Sequence, residues 1–66
     1  MLDGNKIKAL REHQGLSVTE LAEKVGVSHA MISLMERGFK QPGIALLKRM
    51  ADWFGVTADE LLKRER

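Results

Sequence analysis

The feature that most constrains this chain is its punctuation. Ser17-Val18-Thr19-Glu20 and Thr57-Ala58-Asp59-Glu60 each carry the capping-box spacing, a hydroxyl residue followed three positions later by glutamate. Gly15, Gly26, Gly38 and Gly55 each follow a run of apolar residues at helical spacing, where a left-handed residue ends a helix. Between these marks the apolar residues predict five short helices, over residues 4–14, 18–25, 29–37, 44–54 and 58–63. Their inward stripes are Ile7 and Leu10; Leu21, Ala22 and Val25; Ile32 and Met35; Ile44, Leu47, Met50, Ala51 and Phe54; and Leu61 with Leu62. Phe39 to Gly43 reads as a loop by its Pro-Gly pair. One proline and few β-branched runs argue against a sheet, so the fold class is all-α.

Sixty-six residues allow one domain over 1–66 and one core, of a size that is marginally stable. Without cysteine, neither a disulfide nor a thiolate metal site is available. No apolar run approaches the ~20 residues of a membrane helix. The start, Met1-Leu2-Asp3-Gly4-Asn5-Lys6, lacks the pattern of a signal peptide, so a cytoplasmic protein with no membrane partner is expected. Eleven Lys and Arg against nine Asp and Glu give +2, which permits a nucleic-acid partner without requiring one. The tail Lys63-Arg64-Glu65-Arg66 is expected to fray.

The informative segment is about 17–37. Two short helices meet there across a turn of a few residues. Ala22 sits where they cross, Gly26 allows the sharp turn, and Ile32 and Met35 plug the second helix into the core. This is the layout of a helix-turn-helix unit, whose second helix keeps one face free for a major groove.

At these residues the chain resembles the lambda-repressor and Cro-like helix-turn-helix family, often called the Xre family. The matching stretches are Leu16-Ser17, Glu20-Leu21-Ala22, Val25-Gly26-Val27-Ser28, Ile32-Ser33, Glu36-Arg37-Gly38, Pro42, Gly55-Val56 and Leu61-Leu62. The resemblance implies a compact five-helix, lambda-repressor-like domain and sequence-specific binding of double-stranded DNA by a transcriptional regulator. It places Ser28, His29, Ala30, Ser33 and Leu34 toward base edges. It assigns the phosphate backbone to the helix start Ser17-Val18-Thr19 and to Arg37, Lys40 and Gln41. It also pairs Arg11 with Glu36 as an ion pair buttressing the reading helix. A homodimer on an operator is expected, with no cofactor, metal or small-molecule ligand.

The sequence departs from the family where Val18 replaces a usual glutamine and where Ala30, Met31 and Leu34 stand in place of polar residues. Fewer hydrogen bonds are then offered to bases, and thymine methyls become the natural contact of the apolar side chains. The same four residues motivate an alternative, a protein-interaction or antitoxin-like module on the same fold. Leu34 is read equally as a base contact or as tucked against Val18 or an oligomer partner. Phe39 is expected to pack on the fourth helix, or else to seed a dimer contact with Leu46. Trp53 is expected half-buried beside the first helix, and Met31, Met35 and Met50 as core filler. His13 and His29 stand far apart and make a poor metal site, while Glu20 and Glu23 read as solvating carboxylates. No catalytic set is present, so no enzyme is expected.

Overall fold

The computed structural model describes residues 1–63, and it is built from four α-helices and a final 3₁₀ turn. The helices are α1 (Gly4–His13), α2 (Val18–Val25), α3 (His29–Glu36) and α4 (Ile44–Phe54), and the turn is Ala58–Leu61. Among the described residues there is no strand, only an isolated antiparallel bridge between Leu2 and Leu62. Residues 64–66 of the expected fraying tail lie outside the described residues.

Each helix starts where its cap satisfies amides that the helix itself leaves without partners. Asp3 accepts from the Asn5 and Lys6 amides at α1, and Ser28 accepts from Met31 at α3. At α2 the box is reciprocal: Glu20 N–H donates to Ser17 Oγ at 3.0 Å, and Ser17 N–H donates to Glu20 Oε1 at 2.8 Å. That amide, followed by the Ser17 hydroxyl, holds the Glu20 carboxyl below its ordinary value. A lowered carboxylate contributes stability above its unfolded value, near about 4.3, and loses it as pH falls through the folded one. Glu20→Gln is therefore expected to flatten the acid limb of a stability-versus-pH curve below about pH 4.3. Superimposable curves from circular dichroism would rule this coupling out.

Ile7, Leu21, Ile32, Met35, Met50 and Leu61 are fully buried, so every helix and the final turn feed one core. Ala22 is buried at the expected crossing of α2 and α3. Two expectations for α4 change. Leu46 is buried, while Ile44 is 74% exposed. The stripe runs Leu46, Met50, Ala51 and Phe54. Ile44 is rotated about 90° from its centre at 100° per residue, and it sits at the open end of the helix.

The fifth helix of the sequence reading is a single 3₁₀ turn ending at Leu61 rather than a helix through Lys63. The reason lies at the other end of the chain. Leu62 is extended (φ −102°, ψ 145°), and the segment pairs with the N-terminal residues. Asp3 N–H donates to Leu61 O at 2.8 Å, and Lys63 N–H donates to Met1 O at 2.7 Å. Backbone groups that a fifth helix would have used internally are spent on this strap, and Leu2 enters the core beneath it.

Of the remaining aromatic expectations, that for Phe39 shifts. Trp53 is 40% exposed and lies beside α2, with Lys24 Nζ 5.6 Å from its ring centroid. Phe39 is 70% exposed and does not pack on α4; the Arg37 guanidinium lies 5.1 Å from its ring. Because Leu46 is buried, the imagined Phe39–Leu46 surface pair does not form.

Candidate nucleic-acid interface

The reading helix is held by its inner side. Gly26 ends α2 with φ 76°, a left-handed conformation that costs glycine little. Val27 N–H then reaches back to Ala22 O, and Ser28 opens α3 two residues after the α2 cap. Ile32 and Met35 anchor α3 in the core without any exposure. What remains outward begins with Ser28, His29 and Ala30, all exposed, followed by Ser33 and Leu34, both half-buried.

The far end of α3 is fixed electrostatically. Arg11 Nε donates to Glu36 Oε2 at 2.7 Å, and Nη2 donates to Oε1 at 3.1 Å. Nη1 donates to Leu16 O at 2.8 Å, so the guanidinium also ties down the entry to α2. The two side chains are only 10% and 7% exposed. The hydrogen bond to Glu36 raises Arg11 above its already high value against the opposite pull of burial. Glu36 is the one carboxylate in α3, and this bond turns it inward. The outer face of α3 therefore presents no acid to a polyanion.

Two departures that suggested a greasy reading face are resolved differently. Val18 and Met31 pack against the core cluster. Part of their apolar surface thus belongs to the scaffold, while Ala30 is exposed and Leu34, half-buried, is not among the residues packed on that cluster. Met31 is thus partial core filler, while Met35 and Met50 are fully core.

The expected backbone contacts also sort themselves. At the start of α2, the Ser17 amide is taken by Glu20, as the capping-box spacing implies, and is not left for a phosphate. The amides of Val18 and Thr19 remain at the open first turn. Arg37 is the C-cap of α3 rather than its last helical residue, and Arg37 and Lys40 are exposed just beyond it. Gln41 is exposed too, but its Oε1 accepts from Leu2 N–H at 2.8 Å, across 39 positions of sequence. Nothing in the sequence pattern signals that bond, because Leu2 lies outside every periodic stripe.

Among the described residues, no group of three or more His, Cys, Asp or Glu is arranged to hold a metal. No helix is long and apolar enough to cross a membrane among those residues.

This geometry, two short helices around a tight turn with the second helix exposed on a buried scaffold, defines a helix-turn-helix domain. The model of the helix-turn-helix family matches residues 7–61, and the chain belongs to that family. YazB of Bacillus subtilis (strain 168), an uncharacterised HTH-type transcriptional regulator, is 32% identical over 63 residues, covering 96% of this chain and 91% of the relative. The P22 c2 repressor, solved in complex with a synthetic operator, superimposes with a TM-score of 0.89 at 31% identity, covering 98% of both chains. SinR, a master regulator for biofilm formation solved in complex with DNA, gives 0.82 at 36% identity, covering 91% of this chain and 97% of that one. Of other curated relatives the chain spans only about half: 57% of SinR from Bacillus licheniformis and 53% of AnsR from Bacillus subtilis (strain 168).

Proposed function

We propose that this chain is a transcriptional regulator that binds double-stranded DNA in a sequence-specific way by laying α3 in the major groove. It is a regulator and not an enzyme. The observation that carries the reading is the outward start of α3, Ser28 to Ala30, on a scaffold whose only α3 carboxylate is folded inward onto Arg11. Similarity to proteins solved on DNA supports it.

In this reading Ser28, His29, Ala30, Ser33 and Leu34 face bases. His29 supplies the ring nitrogens for a guanine or a phosphate, and Ala30 and Leu34 meet thymine methyls. The Val18 and Thr19 amides, with the Ser17 hydroxyl, approach one phosphate; Arg37, Lys40 and Gln41 follow the backbone beyond the reading helix. Half-sites of such domains repeat at ~34–36 Å along the duplex. The longest axis of the described chain is 33 Å, comparable to one such spacing, and in this proposal each copy takes one half-site and a homodimer the operator. A cytoplasmic location accords with this role. The alternative of a protein-interaction module draws less support from Val18 and Met31, which are partly packed against the core, than from Ala30 and Leu34.

The test is titration of duplex DNA at several salt concentrations. Arg37→Ala is expected to weaken binding to all sequences alike and to reduce the slope of log K against log salt by about one. An unchanged slope would remove Arg37 from the interface, and failure of the wild-type chain to bind any duplex would end the DNA reading.

A further inference from the structure

We propose that Leu2 is a positioning residue for DNA binding: its backbone amide sets the orientation of the Gln41 side chain so that the amide nitrogen of Gln41 faces a phosphate. The inference deepens the DNA-binding reading and rests on it.

A backbone N–H can only donate, so the atom of Gln41 that meets Leu2 N–H must be the carbonyl oxygen. The bond is 2.8 Å long. With Oε1 committed, Nε2 and its two hydrogens form the other arm of the same planar amide and point away from Leu2 N–H. Leu2 itself is 3% exposed, so its amide has little water to turn to if Gln41 leaves. Gln41, by contrast, is exposed, and its nitrogen is free to serve a second partner. A glutamine tethered at its oxygen loses less rotamer entropy when its nitrogen finds an acceptor than a free one does.

The strap that carries Leu2 is itself well held. Met1 O accepts from Lys63 N–H, and Asp3 N–H donates to Leu61 O. Met1, Leu2 and Gly4 also line a shallow cleft together with Glu36, Arg37 and Lys63. The strap therefore touches both the end of α3 that carries Arg37 and the loop that carries Gln41. Phosphate binding at Gln41 and docking of the strap are two ends of one hydrogen-bonded unit. Their coupling is reciprocal: DNA should tighten the strap as much as the strap favours DNA.

The experiment uses the whole chain and a random-sequence duplex of about two helical turns, because phosphate contact does not depend on base sequence. Amide exchange of Leu2 is followed with and without DNA, beside affinity and thermal melting. In the wild-type chain, Leu2 exchange should slow when DNA is added. Gln41→Ala should speed Leu2 exchange in the free protein and weaken DNA binding by roughly tenfold, the loss of one hydrogen bond to a charged group. Gln41→Glu keeps an acceptor for Leu2, so exchange and melting should stay at wild-type values while affinity falls. A purely structural Gln41 would leave the affinity of folded Gln41→Ala unchanged, and that result overturns the proposal. So does a Leu2 amide indifferent to DNA while the wild-type chain binds with its full salt slope, an outcome that leaves the DNA reading standing. No duplex binding by the wild-type chain overturns both.

Discussion

Glu36→Ala is expected to cost about 3–5 kcal/mol, the penalty for leaving one member of a buried ion pair without its partner. A domain of this length has a total stability of about 3–10 kcal/mol at typical values per residue. The variant is therefore expected to be largely unfolded, or to melt tens of degrees lower, by calorimetry or circular dichroism. The stranded group is Arg11, which is 10% exposed at its side chain and stays charged at every accessible pH. Its remaining polar partners are Leu16 O at 2.8 Å and, at a distant 3.9 Å, the exposed Glu12, and neither neutralises it in place. The companion experiment is Arg11→Met with Glu36→Leu together. Replacing both members by apolar groups is often nearly neutral, so the double variant should recover most of the stability. Recovery will fall short by about one hydrogen bond, because Leu16 O loses its donor. If the single substitution shifted melting by only a degree or two, the pair would be acting as a solvated surface pair and the geometry described above would be wrong.

Gly4→Ala is the second large effect, and its sign is diagnostic. Glycine at an ordinary helical position costs about 0.5–1 kcal/mol relative to alanine, so the substitution normally stabilises. Here a Cβ on residue 4 would stand 2.5 Å from both Met35 O and Glu36 O and 2.9 Å from Glu36 C. These are backbone atoms, and no side-chain rotation relieves them. The start of α1 would have to move away from the end of α3, so the loss should reach or exceed the about 1–3 kcal/mol typical of overpacking. The displaced end of α3 carries Arg37, so DNA affinity should fall along with melting temperature. Gly43 is the natural control. It has open space around it and caps α4 at φ −72°, ψ 173° without a side-chain bond. Gly43→Ser should gain a few tenths of a kcal/mol, since serine caps better than glycine only by about that much. A Gly4→Ala variant as stable as the parent would show that α1 and α3 do not approach so closely.

Much of this molecule was written locally. The capping boxes at Ser17 and Thr57 are both formed, and the left-handed glycines fall at positions 15, 26, 38 and 55. Such features depend on neighbours within four residues, so a one-dimensional pattern holds them. The inward stripe of α2 is equally legible, because every position in it repeats at helical spacing. The resemblance on which the ion-pair expectation rested also spans this punctuated region, and Arg11 and Glu36 do meet at 2.7 Å.

The sequence alone placed the first four helices to within a residue at their ends, the turn between α2 and α3, and the family resemblance. It misjudged Ile44, Phe39, the fifth helix and the apolar look of Val18. All of these depend on which surface another part of the chain covers. The tertiary structure decided that the ends of the chain meet, so Leu62 extends to pair with Leu2 instead of continuing a helix. It also decided that Gln41 answers to Leu2 and that Gly4 must lack a side chain. The physical reason is range: periodicity and caps report forces between residues a turn apart, whereas burial and strap pairing arise only once distant segments are brought into contact.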